Sequence, residues 1–373
     1  MTALARSAAW LRAREEILAW ALASRVVVLV CALFDQLLRW PRGFFGAQEF
    51  GHGLGILGSW DGRWYQNVAA RGYLLVPGHQ SNPAFFPLFP IFLRSLHWTG
   101  LSFRGAGVVV ANLAFLVAVL AFYELGRELL PEQDARRAAV YLAVFPMGFV
   151  FSMVYPESLV FAAIALAAFF ALRGRWIAAA LAGAVAALAR PEGVFYVLPL
   201  AVIVVRRWPV LTRRDRAQAL GAVFAPAACL VTYPLYLAWS LHNAYAWTWA
   251  ERDWGRAFRP DGLVTALVHL PSALEAHPWL ARDLAFAALY VFLLVVAWRA
   301  GVAATWVAVG ALILVLPLWS GSFTSEARFG LLVLPTYWGL AVLSRRHVPG
   351  RALPALCLVL LAAGTVTLPL AFP

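Results

Sequence analysis

SWDGRWYQNVAARGY, residues 59–73, with its continuation NPAFFPLFP, residues 82–90, is the stretch on which the reading of this chain turns. It follows the first long apolar run and is too polar to cross a bilayer itself. It holds one carboxylate, Asp61, among aromatics and arginines. Trp60 and Trp64 are four residues apart, as are Asp61 and Tyr65, so a helix here carries them as adjacent stripes. Such a helix lies on the membrane, with tryptophans at headgroup level and Asp61 at the edge of the water. A bland reading stands beside this one: an aromatic anchor whose aspartate caps the helix or pairs with Arg63.

Composition decides the class around that stretch. The 373 residues are 63% hydrophobic and 13% charged, with a mean hydropathy of +0.76, the profile of an integral membrane protein. The formal charge of +12 is carried by arginine alone, because the chain has no lysine. Those arginines sit in short connections between apolar spans, which excludes a nucleic-acid face and makes them topology signals. Cys31, Cys229 and Cys357 all lie in apolar runs without ligand or redox spacing and are expected to pack. The apolar run from Ile17 to Leu38 is too long for the core of a cleaved signal and reads as a retained span.

Breaking the chain at charges and at Pro/Gly punctuation gives about eleven expected crossings. They are 16–38, 105–124, 138–154, 157–172, 176–190, 193–205, 217–241, 284–298, 302–318, 329–343 and 352–370. Residues 85–98 are too short and Pro-rich to cross and read as an interfacial helix. The expected fold is an all-α polytopic bundle forming a single domain over 1–373, with long outer loops at 39–104 and 242–283. With the N-terminus inside, the inner connections collect Arg6, Arg12, Arg14, Arg127, Arg136, Arg137, Arg173, Arg175, the run Arg206–Arg216, Arg299, Arg345, Arg346 and Arg351. The short outer connections hold only Arg190 and Arg328, so the expected topology is N-terminus cytoplasmic and C-terminus outside.

Carboxylates gather on the opposite side: Asp35, Asp61, Glu157, Glu192, Asp253, Asp261 and Glu326. They fall in the motifs VYPES (154–158), ARPEG (189–193), WAERDWGR (249–256) and SEARFG (325–330), each meeting the outer face. Ionisable groups at span ends are costly and mark function by default. Their convergence suggests one polar cavity roofed by the two long loops.

WDGRWYQNVAARGY, then FFPLFP, then VYPESLVFAAIALAAFFALRGRWIAAALAGAVAALARPEG, then a late ARF before LLVLP, resembles the bacterial branch of the PIG-V-like mannosyltransferases. The likeness runs in order over most of residues 17–340. It implies a GT-C-type bundle in a bacterial cytoplasmic membrane. It implies a polyprenyl-phosphate-linked sugar as donor, usually mannose, transferred with inversion on the outer face to a lipid, glycan or protein acceptor. It also implies that the acid of the first outer loop, here Asp61, is the catalytic base. Two departures stand out. Gly62 follows Asp61 where many GT-C relatives carry a second acid, and Glu192 stands where a small or polar residue is expected.

The residues themselves suit that chemistry. Inverting transfer from a phosphate needs one base for the acceptor hydroxyl and no strong acid, because phosphate leaves as a stable anion. Arginine forks suit the phosphate, and the candidates are Arg190 and Arg328, with Arg63 and Arg256 behind them. Structural alternatives are snorkelling or a Glu192 pair for Arg190, and a Glu326 pair for Arg328. Candidate sugar or acceptor contacts are Trp60, Tyr65, Glu157, Glu192, His79, Asn82 and Glu326. A helix-end role competes for Glu157, and plain loop roles compete for His79 and Asn82. Trp247, Trp249 and Trp254 read as a membrane belt or a stacking surface, and Phe85, Phe86 and Phe89 as an apolar floor. No metal or other cofactor is expected, a divalent ion between Asp61 and a phosphate being the one alternative left open. Outer-loop histidines such as His52 carry no recognisable motif. The rival class is a transporter or flippase of lipid-linked saccharides, which wants polar residues at mid-membrane and repeated halves.

Overall fold

A computed structural model describes residues 14–38, 53–347 and 351–368. Arg6, Arg12 and His52, residues 39–52 of the first outer loop and the last two residues of the final expected crossing lie outside the described residues, as do the side chains of Asp35 and Arg346. Every regular element among the described residues is helical.

Helix α1 (Glu15–Leu38) leads to the loop that holds α2 (Asp61–Arg71) and α3 (Leu88–His97). Then follow α4 (Phe103–Leu129), α5 (Glu132–Val144), α6 (Glu157–Leu172), α7 (Trp176–Ala189), α8 (Val197–Arg207) and α9 (Arg213–Leu241). The second long loop carries α10 (Ala246–Asp253), α11 (Gly262–Val268) and α12 (Leu270–Ala276). The chain closes with α13 (Leu280–Arg299), α14 (Ala304–Val315), a single turn α15 (Glu326–Phe329), α16 (Leu334–His347) and α17 (Ala352–Val366). Helices α4, α6, α7 and α9 pack in series, while α13 packs on α16 and α16 on α5.

Among the described residues, five helical segments are long and apolar enough to cross a membrane by length and composition: Glu15–Phe34, Phe103–Leu129, Pro191–Val210, Arg213–Leu241 and Leu280–Arg299. The pair Glu326–Leu332 and Leu334–Arg345 would make a sixth, but it is bent by 84°. Four further apolar helices are shorter than a full crossing.

Two expected crossings take another form. Residues 138–154 are not one helix: α5 starts at Glu132 and stops at Val144, and a 3-10 turn at Gly148–Ser152 follows. Pro146 explains the stop, since a proline ring disfavours helical backbone in the residue before it and offers no N–H. The bend in 329–343 has the same origin, because Pro335 opens α16 and forces a new start after Val333.

One end of the bundle ties arginines to acids: Arg14 to Glu124 (2.7 Å), Arg127 to Glu132 (2.7 Å), Arg173 to Glu128 (2.7 Å) and Arg345 to Asp134 (2.7 Å). At the other end two motif glycines let backbone approach closely. A side chain at Gly193 would overlap the Ala186 carbonyl, so ARPEG folds flat onto the end of α7. One at Gly330 would overlap the Tyr290 ring, so SEARFG seats directly on α13. Both motifs are thereby pinned beside α2.

Candidate active site

Asp61 is the first residue of α2, and the chain enters that helix through Trp60 at φ +48°, a strained conformation for a bulky residue. The strain persists because the neighbours fix it. Gly62 and Arg63 donate backbone hydrogen bonds to Ser59 and Trp60 (2.9 and 3.0 Å), and the Val154 N–H donates to the Leu57 carbonyl (2.8 Å). A side chain at Gly62 would meet Val154 and Tyr155 at ordinary contact distance, 3.4–3.6 Å, so a second carboxylate at this position would start against that wall and outside the cavity lining. One turn on, buried Tyr65 meets Phe85 and Phe89 edge-on at 5.1 and 5.4 Å, which gives Asp61 a rigid aromatic base.

From Asp61 a row of alternating charges runs across the helix ends. Arg328 donates to its carboxylate at 2.5 Å and approaches Glu157 at 3.6 Å. Glu157, only 1% exposed, is bonded more closely by Arg190. Arg190 then grips Glu192 with two nitrogens, at 2.8 and 3.1 Å. The rings of Phe329 and Tyr155 insulate this row. The guanidiniums of Arg190, Arg256 and Arg328 lie 5.3, 5.4 and 5.3 Å from the Phe329 centroid, and Arg328 lies 5.2 Å from that of Tyr155.

Arg256 is held differently. Its Nη2 donates to the Thr324 carbonyl at 3.1 Å, while Nη1 is buried and has no hydrogen-bond partner among the described residues. Burial and the nearby Arg328 charge pull Arg256 below the ordinary arginine range, a cost that an anion beside it would relieve.

These groups open onto one cavity of about 490 Å³. Trp60, Asp61, Tyr65, Arg190, Glu192, Arg256 and Arg328 all line it, and Glu157 stands directly behind the arginines. Phe85, Phe86, Trp247 and Trp254 line it too. Trp254 bridges the two long loops: its indole donates to the Ser81 carbonyl at 3.0 Å and its ring meets Trp64 edge-on at 5.2 Å.

Four expected contacts are corrected. Arg63 does not reach the cavity, because two residues beyond Asp61 lies about 200° around a helix. It lines a separate groove on the far side of α2. His79 is exposed on a turn off the cavity. Asn82 is buried and spent on structure, accepting from the Leu74 N–H (2.7 Å) and donating to Asn67 (2.9 Å) and to the Gly72 carbonyl (3.0 Å). Glu326 is buried behind the wall and does not pair with Arg328.

Two residues escaped the sequence reading. Glu251 lines the cavity and accepts from the Trp247 indole at 3.2 Å. Burial pushes its carboxyl up to about 7, against the Trp247 hydrogen bond and the pull of Arg256 and Arg190, with Glu192 adding to the rise. Asp283, in the first turn of α13, accepts from the Ser325 and Ala327 N–H groups, each at 3.1 Å. Tyr290 donates to the Ala327 carbonyl at 2.7 Å. Together they clamp the turn that presents Arg328, including Ser325 at φ +70°.

Comparison with known proteins agrees with this architecture. The family model described as Mannosyltransferase (PIG-V) matches residues 30–308. The crystal structure of ArnT from Cupriavidus metallidurans, bound to undecaprenyl phosphate, superposes with a TM-score of 0.55 at 16% identity. That match covers 91% of this chain and 62% of the ArnT chain, so the present chain spans less than two thirds of its neighbour. The Archaeoglobus fulgidus oligosaccharyltransferase tethered with an acceptor peptide matches at a TM-score of 0.44 and 12% identity, over 97% of this chain and 55% of that one. No curated protein matches. The ArnT likeness shows that this chain shares the helical fold of that structure.

Proposed function

The chain belongs to the PIG-V mannosyltransferase family, and from that premise we propose that it transfers a sugar, mannose by family, from a polyprenyl-phosphate donor to an acceptor hydroxyl. Transfer takes place on the outer face of the membrane. The observation that carries the reading is that Asp61 and the Arg256 and Arg328 guanidiniums share one cavity, with one nitrogen of Arg256 unsatisfied. A single carboxylate beside cations is what inverting transfer from a phosphate requires. The undecaprenyl phosphate bound in ArnT supports a lipid phosphate as the leaving group.

The donor phosphate docks on Arg256 and draws Arg328 away from Asp61. The freed carboxylate accepts the proton of the acceptor hydroxyl as its oxygen bonds to the anomeric carbon. The bond from that carbon to the phosphate oxygen breaks, its electron pair stays with the phosphate, and the guanidiniums meet the growing charge. Attack from the side opposite the phosphate inverts the anomeric centre. The Trp60, Trp247 and Trp254 rings offer a stacking surface for the sugar.

The direct test uses the full chain in nanodiscs with radiolabelled polyprenyl-phosphate-mannose and a lipid extract of the source organism. The expected outcome is label in a new product. A chain that neither binds this donor nor makes product would overturn the reading. In the same assay Arg256→Gln should raise the donor KM by about 10- to 100-fold with a smaller change in kcat, as for loss of one hydrogen bond to a charged group. An unchanged KM would remove Arg256 from the phosphate site.

Glu251 sets the pH response. Its carboxyl, near 7, is neutral below that pH and negative above it, facing the site where the donor anion binds. A phosphodiester keeps its charge throughout this range, so the change falls on the protein, where Glu251 lines the cavity. The donor KM should fall as pH drops from 8 to 6, and Glu251→Gln should hold it low and flat. A KM that falls equally in both proteins would assign the titration elsewhere.

A further inference from the structure

Helix α2 has a second functional face. Asp61 and Tyr65 turn toward the catalytic cavity, whereas Arg63, Asn67 and Arg71 repeat at helical spacing on the other side. That side forms one wall of an open groove of about 570 Å³, and the opposite wall is the start of α4, with Ser102, Phe103 and Arg104. No carboxylate among the described residues lines it. Neither Arg63 nor Arg71 forms an ion pair among the described residues.

We propose that this groove, between α2 and the N-terminus of α4, is a binding site for the phosphate of an anionic lipid headgroup, separate from the catalytic cavity. Arg63 and Arg71 supply the positive charge that attracts an anionic headgroup. The α4 terminus adds a positive dipole end and first-turn amides beyond the one capped by Ser102, whose Oγ accepts from the Gly105 N–H at 3.1 Å. The surroundings favour a lipid over free phosphate. The turn entering the groove carries Trp98, 81% exposed, and Leu101, 37% exposed, beside His97 stacked on Phe103 at 4.0 Å. Exposed tryptophan and leucine next to arginines form the pattern of a membrane-interface contact. A headgroup held there sits across α2 from Asp61 and fixes the height of that helix at the bilayer surface.

The test uses the purified full chain in neutral detergent, with native mass spectrometry as readout. The probes are dioctanoyl phosphatidylglycerol, dioctanoyl phosphatidylcholine and inorganic phosphate. Phosphatidylglycerol should be retained at least about tenfold better than phosphatidylcholine, and Arg63→Gln/Arg71→Gln should cut its retention by about tenfold or more, at the usual worth of two arginines near an anionic surface. The Arg63→Lys/Arg71→Lys pair should keep most of the retention, which separates lost charge from lost folding. Inorganic phosphate that displaces the lipid at sub-millimolar concentration would reassign the site to free phosphate and overturn the lipid assignment. Equal retention of phosphatidylcholine, or undiminished retention by the Gln pair, would overturn the site.

Discussion

Asp61→Asn is expected to lower kcat for sugar transfer by about 10³-fold while leaving donor affinity within about threefold, the span usual for loss of a general base. The substitution keeps the volume and one acceptor oxygen, so the entry to α2 through Trp60 and the packing of Gly62 on Val154 are preserved. It deletes the carboxylate that Arg328 holds at 2.5 Å. Arg328 is then left with Glu157 and is, if anything, freer to meet the donor phosphate, so binding survives while proton transfer fails. Single-turnover transfer and donor binding, measured on both proteins, separate the two quantities. Equal turnover by both proteins would reduce Asp61 to the aromatic-anchor role that the sequence also allowed. A loss of donor binding equal to the loss of turnover would make it a binding residue. Asp61→Glu, with a base displaced by one methylene, should fall between.

The sequence was most legible where physics acts locally. Apolar runs bounded by arginines marked the helices, and the motifs around Asp61, Glu157, Arg190 and Arg328 pointed to one end of the bundle, where they meet in one cavity. Charge at a span end is expensive, so its presence carries information before any partner is known. What stayed hidden were the partnerships. Arg190 ranked ahead of Arg256 because it occupies a short connection, yet Arg190 is occupied by Glu157 and Glu192 whereas Arg256 keeps an unsatisfied nitrogen. Arg63 stood as a lesser candidate, and helical rotation sends it to the other groove. Glu251, inside the WAERDWGR motif, gains its place in the site only when the second loop folds over the cavity. Asp283 was counted as the end of a loop, but α13 begins at Leu280 and takes it in, where it holds the Arg328 turn. Apart from Arg63, which helical rotation alone redirects, each miss is a long-range contact that no local period encodes.

The ion-pair row also predicts a large effect on stability, and it decides what Arg190 is for. Glu157 sits 1% exposed with Arg190 bonded to one oxygen and Arg328 more distant at 3.6 Å. Removing one partner of a buried pair leaves an uncompensated charge at a cost of about 3–5 kcal/mol, whereas removing both can be close to neutral. Arg190→Gln should therefore lower the melting temperature in detergent well below that of the Arg190→Gln/Glu157→Gln double variant. The double variant should recover most of the loss, and Glu157→Gln alone should fall between. Glu192 contributes less to the deficit because it lines the cavity and can be hydrated there. If Arg190 served the donor phosphate instead, Arg190→Gln would fold almost normally and bind donor weakly, and the second substitution would rescue nothing. The two-nitrogen grip on Glu192 together with the bond to Glu157 favours the first result. Arg190 is then the keystone that sets Glu157 and, through it, the resting position of Arg328 against Asp61.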